Sequence, residues 1–207
     1  MNSAPDDGSE QRVLDLDDAA LVARAKAEGE AFGVLYERYV KKIYNYMYYR
    51  TGNEHDAEDL TARVFQRALA HLGHYTERGL PFSAWLYRIA HNLVANWHRD
   101  QGRHKLLPLE HVASQELQAL GAERPEAMTE TRQEREALRQ AIRRLPGERQ
   151  ELLILKFVER LSNAEIGAIM NRSEGAVKSL YHRTLLALRD ELARSEAYSG
   201  HNGGARR

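Results

Sequence analysis

Cysteine is absent from the 207 residues, which excludes a disulfide framework, a thiolate zinc site and a thiol redox switch. No apolar run approaches the roughly 20 residues needed to span a bilayer. The opening MNSAPDDGSE has neither the basic start nor the apolar centre of a signal peptide. The expectation is a soluble, intracellular protein without membrane insertion. Net charge is missing too: 30 Lys and Arg balance 30 Asp and Glu, so any basic surface must be local. There is no phosphate-cradling glycine loop, no H-E-x-x-H and no G-x-S-x-G. Among the 9 histidines, His71 and His74 are three apart, but no further ligand is spaced to complete a zinc set. These absences disfavour an enzyme and leave no cofactor or metal to expect.

What the chain has is helical periodicity. In FSAWLYRIAHNLVANWHRDQGRHK, residues 82–105, Phe82, Trp85, Leu86, Ile89, Leu93, Val94 and Trp97 fall three or four apart, one buried stripe of an amphipathic helix. Both tryptophans lie on that stripe and read as core. The opposite face carries Arg88, His91, Asn92, Ala95, Arg99 and Arg103, with Asp100 its only acid. Cations suit phosphate, and planar amide and imidazole groups suit bases, so this face fits nucleic acid. The plain alternative is a solvated helix surface.

Upstream, residues 1–14 read as a disordered tail. Asp17 and Asp18 open a short helix that buries Leu21, Val22 and Ala25 and ends near Gly29. A second helix is expected from Glu30 to Tyr49, with Phe32, Leu35, Tyr36, Tyr39, Ile43 and Met47 inward and Gly52 as a left-handed stop. Asp56 is the expected N-cap of a third. Leu60, Val64, Phe65, Ala68, Leu69 and Leu72 form its core stripe, while Glu58, Thr61, Ala62, Arg63, Gln66 and Arg67 point outward. A loop over residues 73–81, with Tyr75 and Arg78, leads into the Phe82 helix. Residues 15–105 thus read as one helical domain. Residues 106–129, proline-containing and acidic, read as a flexible linker.

A second helical domain is expected over residues 130–194, and a disordered tail over 195–207. Leu138, Ile142 and Leu145 mark one helix, stopped at Pro146-Gly147; Leu152, Leu153, Leu155, Phe157 and Val158 mark the next. Ser162 and Glu165 then form a capping box opening a short helix through Met170. Asn171 sits where a tight turn wants a left-handed residue. Ser173 caps a long helix with Val177, Leu180, Tyr181, Thr184, Leu185, Leu188 and Leu192 inward. Short helix, tight turn and capped longer helix make a helix-turn-helix, whose second helix enters the major groove. Glu174, Gly175 and Ala176 keep its first turn slim. Lys178 and Ser179 can reach base edges, Arg172 and Arg183 phosphates, and His182 also points outward. An ordinary helical hairpin is the alternative. The fold class is all-α: two small helical domains on a flexible linker, the C-terminal one a helix-turn-helix.

Two stretches carry a family resemblance. HDAEDLTARVFQRAL followed by PFSAWLYRIAHNLV resembles region two of bacterial RNA polymerase sigma factors, as does the earlier LVARAKAEGEAFGVLYERYV. LRQAIRRLPGERQELLILKFVERLSNAEIGAIMNRSEGAVKSLYHR resembles region four. With only these two regions, the chain is similar to the extracytoplasmic-function (ECF) type. The resemblance implies a non-enzymatic subunit that binds core RNA polymerase, recognises the minus-ten and minus-thirty-five elements of promoter DNA and assists melting. It implies that Asp56, Glu58, Asp59, Thr61, Ala62, Arg63, Gln66 and Arg67 grip the polymerase clamp helices. The family often has Gln-Glu where this chain has Ala62-Arg63.

Arg88, Arg99 and Arg103 would hold backbone at the minus-ten element, with Tyr75, Arg78, His91 and Asn92 near unpaired bases. At the minus-thirty-five element the candidates are Arg172, Ser173, Glu174, Gly175, Ala176, Lys178, Ser179, His182 and Arg183; the family often has Arg where this chain has Leu180. The linker resembles the segment that the family threads through the polymerase channels, and an anti-sigma factor is an expected partner. Two other readings stand beside this one. A free-standing helix-turn-helix regulator would need a dimer interface, for which no heptad run speaks. A helical adaptor would have no use for a basic, amide-rich stripe.

Overall fold

The computed structural model describes residues 16–76, 80–100 and 127–202, the side chains of 127–135 and 195–202 excepted. The expected tail at 1–14, most of the expected linker, Arg78 and Arg103 lie outside them. Every regular element among the described residues is helical, and the chain divides into two compact units.

In the first unit, α1 spans Asp18–Ala27, and Asp17 caps it by accepting from the Ala20 N–H at 2.8 Å. A 3-10 turn at Gly29–Ala31 leads into α2, Phe32–Thr51, two residues later at each end than the periodicity suggests. Gly52 stops α2 at φ 68°, its N–H donating to the Tyr48 carbonyl at 2.9 Å. Next comes α3, Glu54–His71. Asp56 is not its N-cap: Asn53 is, accepting from the Asp56 N–H at 3.0 Å. The asparagine sits in extended backbone one turn earlier, which leaves the Asp56 side chain free to reach another helix. After a 3-10 turn at Leu72–His74, α4 runs over Phe82–Asp100. The expected last turn, residues 101–105, is outside the described part.

Helix α3 packs against both α2 and α4, and α1 lies against α2. Their shared core is aromatic. Tyr46 and Tyr87 are fully buried and meet edge to face with ring centroids 5.5 Å apart; Tyr39 meets Phe82 at 5.8 Å. Such pairs stabilise by about 0.5–1.5 kcal/mol beyond their burial. Asp18 fastens α1 to α2: it accepts from the Arg38 guanidinium at 2.6 Å and from the Tyr39 hydroxyl. Burial, with the Asp18 hydrogen bond adding to it, pushes the Tyr39 pKa well up, so the phenol stays a donor. Two side chains expected inside are not: Tyr36 is 44% and Leu69 52% exposed. Tyr36 lies edge-on to Phe65 at 4.8 Å, so it covers the core from outside.

The second unit begins with α5, Ala127–Arg144, whose start lies inside the expected linker. Pro146 ends it and opens α6, Gly147–Leu153. The buried Gln150 amide donates to the Arg143 and Leu145 carbonyls at 3.2 and 2.6 Å, satisfying acceptors that the end of α5 leaves open. The chain continues as a π-turn at Ile154–Val158, and Arg160 takes a left-handed φ of 55°. The wider turn rotates Phe157 outward, where it is 49% exposed and lies beside Tyr181. Then come α7, Asn163–Ile169, and α8, Glu174–Asn202, which continues through most of the expected C-terminal tail. Leu152, Ile154, Leu155, Ile166, Val177, Leu180 and Thr184 are buried, whereas Leu185 is exposed.

Candidate nucleic-acid interface

The helix-turn-helix is held by local chemistry. Ser162 and Glu165 exchange both capping-box bonds, at 2.7 and 3.2 Å, fixing the start of α7. Asn171 turns the chain at φ 53°, and Ser173 caps α8 by accepting from the Ala176 N–H at 3.2 Å. A side-chain Cβ at Gly167 would meet the Arg172 carbonyl oxygen at 2.6 Å, so the turn closes only because that position is glycine.

These caps leave Glu174, Gly175, Lys178, Ser179, His182 and Arg183 exposed along the N-terminal half of α8, with Ala176 half-buried. Lys178 pairs with Glu174 at 2.8 Å. Ser179 donates its hydroxyl to the Gly175 carbonyl at 3.0 Å. Arg172 is ion-paired through one guanidinium nitrogen with Glu148 of α6, which offsets part of its charge. Leu180 is 4% exposed: the position is core.

In the first unit, Arg88, Asn92, Ala95 and Arg99 are exposed on α4, and His91 is half-buried between them. Arg99 donates to the Asn96 amide oxygen at 2.8 Å. Tyr75 does not join this face. Its ring is 7% exposed, packs on Phe82 and Trp85, and its hydroxyl donates to the Leu80 carbonyl at 3.1 Å. Its own carbonyl accepts from Lys26 at 2.5 Å, tying α1 to the loop. Spacing could not reveal this, because an aromatic in a loop reads as accessible until its hydroxyl finds a partner.

On α3, Glu58, Asp59, Ala62, Arg63, Gln66 and Arg67 are exposed together. Thr61 is not among them: it is buried, its hydroxyl donating to the Ala57 carbonyl at 2.7 Å. Asp56 is half-buried and accepts from the Trp97 indole N–H at 3.3 Å. Trp97 and Trp85 are both half-buried rather than core. One cleft of about 400 Å³ joins the two faces: Arg63, Gln66 and Arg67 of α3 stand opposite Asn96, Trp97 and Asp100 of α4, with Leu60 and Leu93 also lining it. The sequence treats these as separate surfaces; in the fold they adjoin.

Among the described residues no group of His, Asp and Glu could hold a metal, and no helix is long and apolar enough to cross a membrane. The arrangement offers two kinds of contact: a slim, capped helix end for an intact duplex, and broad polar helix sides for a protein or an unpaired strand.

Comparison with known proteins matches both units. The family model for Sigma-70 region 2 covers residues 35–104, and that for Sigma-70, region 4, covers 135–188. The chain is 42% identical over 170 residues to the ECF RNA polymerase sigma factor BldN of Streptomyces coelicolor, covering 81% of this chain and 63% of that one. It therefore spans less than two thirds of that relative's length. It is 32% identical over 172 residues to the ECF RNA polymerase sigma factor SigW of Bacillus subtilis, covering 81% of this chain and 91% of the relative. Among solved structures, CnrH in complex with the cytosolic domain of CnrY shares the fold, with TM-score 0.61 and 22% identity over 86% of this chain and 97% of that one. The sigma factor RpoE of Bartonella quintana, in complex with the anti-sigma factor NepR, has TM-score 0.55 and 19% identity over 78% of this chain and 96% of that one.

Proposed function

The chain belongs to the ECF sigma factors of RNA polymerase, and on that premise we propose that it gives core polymerase its promoter specificity and helps open the DNA. It acts as a transcription initiation factor rather than an enzyme, in the cytoplasm beside the polymerase, and an anti-sigma protein is the partner that would hold it inactive. Residues 15–105 bind polymerase and the minus-ten element, and residues 130–194 read the minus-thirty-five element. The observation that carries this reading is the pairing of two exposed surfaces suited to different forms of DNA. A capped helix-turn-helix suits a duplex, while the Arg88, Asn92 and Arg99 face of α4 suits a separated strand.

The division of labour follows from what each face exposes. Arg63, Gln66 and Arg67, with Glu58, Asp59 and Ala62, offer polymerase a mixed-charge helix side, and Asp56 sits at its half-buried start. Arg88 and Arg99 neutralise phosphate, and Asn92 and His91 meet the edges of unstacked bases. On α8, Lys178 and Ser179 meet base edges, while Arg183, and Arg172 in the turn before the helix, hold phosphates. Cations arranged this way attract DNA by local field, since the net charge supplies none.

Run-off transcription with purified core polymerase tests the whole. Wild-type protein should direct defined transcripts; a chain that binds duplex tightly without polymerase would instead be a free-standing regulator. The double variant Arg63→Glu, Arg67→Glu should weaken core binding at least ten-fold while helicity is kept, since both side chains are exposed. Asn92→Ala and Arg99→Ala should retain core binding but lower permanganate reactivity of unpaired thymines. Full reactivity in both would move melting away from this face of α4.

A further inference from the structure

We propose that Glu174 and Lys178 read one G·C base pair of the upstream duplex element as a unit, Lys178 donating to the guanine and Glu174 accepting from the cytosine. This rests on α8 being the duplex-reading helix.

The exposed residues of the first turns of α8 fall in two rows. Gly175, Ser179 and Arg183 form one, Glu174, Lys178 and His182 the other. The first row is low near the helix start. Nothing lies within 4 Å of a Cβ built at Gly175, and the Ser179 hydroxyl proton is spent on the Gly175 carbonyl at 3.0 Å. Ser179 is thus left as an acceptor only. Base-reading capacity at the tip therefore sits mainly in the second row.

There the Lys178 ammonium holds the Glu174 Oε1 at 2.8 Å. The hydrogen bond and the charge of Lys178 hold the Glu174 carboxyl below the usual carboxylate range, so near neutral pH it accepts and cannot donate. One of the three ammonium protons is used, leaving two, and Oε2 of the carboxylate remains for a further donor. The pair thus presents donors beside an acceptor. A G·C pair presents the complement in the major groove: the N7 and O6 acceptors of guanine, then the N4 amino donor of cytosine. An A·T pair alternates acceptor, donor and acceptor and ends in a methyl group, so it takes one lysine donor beside the Glu174 acceptor but has no second adjacent acceptor for the other.

Stability does not explain the pair, because an exposed i, i+4 ion pair contributes little to folding. An acid at the leading end of a helix that enters a groove between phosphates also opposes binding unless it meets a donor. The competing account is that Glu174 only complements the N-terminal dipole of α8. The two accounts predict different DNA profiles.

The test reconstitutes holoenzyme from core polymerase and the full chain and selects from a pool of randomised duplexes. Wild type is compared with Glu174→Ala, Lys178→Ala and Arg183→Ala. Wild-type selections should show an upstream G·C pair favoured about ten-fold over A·T, the scale of one good bidentate base contact. Lys178→Ala should erase the preference at that position and Glu174→Ala should weaken it at the same position, both leaving the others. Arg183→Ala should weaken all duplexes alike. The proposal is overturned if Glu174→Ala tightens every duplex by one factor with the profile unchanged, or if the two substitutions act at different positions. If wild type shows no upstream preference, the duplex-reading role of α8 fails, and the base-pair assignment with it.

Discussion

The two helical units solve the same problem, holding a polar helix face steady, by different means. The first does it with bulk. Its largest fully buried side chains include Tyr46, Tyr87, Phe82, Leu21, Leu35 and Ile43, and polar ties run from one helix to another: Asp18 to Arg38 and Tyr39, Asp56 to Trp97. The second does it with local bonds. Its buried residues are mostly aliphatic, and its stability at the reading end comes from a capping box, a serine cap, a left-handed asparagine and a glycine that lets two backbones meet. On the proposed function, a face that engages an unpaired strand along several turns needs a helix anchored over its whole length, which aromatic packing supplies. A helix that meets an intact groove needs only its first turns well placed, and caps suffice for that. The separation is a difference in range, long contacts in one unit and short ones in the other.

The comparison breaks most visibly at Tyr87. It is 2% exposed and meets Tyr46 edge to face, so Tyr87→Ala removes an aromatic from the centre of the first unit. The expected cost is about 3–5 kcal/mol, the range for large aromatic truncations. In urea titration the first unit should lose its cooperative transition at lower denaturant while the second is unchanged. Loss of both together would mean that the two units do not fold separately.

Next in size is Gly167→Val. The new Cβ would collide with the Arg172 carbonyl, and backbone cannot move aside as a side-chain tip can. Overpacking of this kind costs about 1–3 kcal/mol. The consequence should be confined to the second unit: upstream-element preference in selected duplexes should vanish while core binding persists.

The same contrast in range explains what could be read from the chain itself. The helix-turn-helix was legible almost to the residue, because its determinants lie within a few positions: Ser162 with Glu165, Asn171, Ser173. The first unit was legible as helices with buried stripes but not as a surface. Thr61 falls on the outward side by spacing, yet its hydroxyl bonds to the carbonyl one turn earlier and the residue is buried. Tyr75 reads as an exposed loop aromatic, yet Phe82 and Trp85 close over its ring. Asp56 reads as a cap, yet Asn53 takes that role and frees it for Trp97. Each depends on a neighbour in three dimensions that periodicity does not encode. The π-turn at 154–158, which turns Phe157 outward, has no local signature either.

A smaller effect sharpens the local side of the comparison. Ser162→Ala removes one half of the capping box and should cost about 1 kcal/mol. Because Glu165 holds the Ser162 N–H, Glu165→Ala removes the other half of the same structure, and the two substitutions should be less than additive. A double-mutant cycle by thermal unfolding measures this; full additivity would mean that the box bonds act independently.

The smallest expected effect on stability probes the long-range side. Trp97→Phe keeps most of the ring packing near the end of α4 and removes the indole donor to Asp56. That bond is long at 3.3 Å and only part-buried, so its loss should cost about 0.5 kcal/mol, below the usual range for a bond to a charged acceptor. The consequence for function should be larger than that figure suggests. Asp56 stands in the first turn of α3, whose side carries the proposed polymerase contacts Arg63 and Arg67, and Trp97 stands one turn beyond Leu93 on α4, whose side carries the proposed DNA contacts Asn92 and Arg99. The bond links the two surfaces across their shared cleft. Core binding by the variant should stay near wild type, because the α3 face is untouched, while permanganate reactivity in the open complex should fall several-fold. Asp56→Asn, which retains an acceptor for the indole, should lose less open-complex formation than Asp56→Ala. Equal open-complex formation by Trp97→Phe and wild type would show that packing alone aligns the two faces.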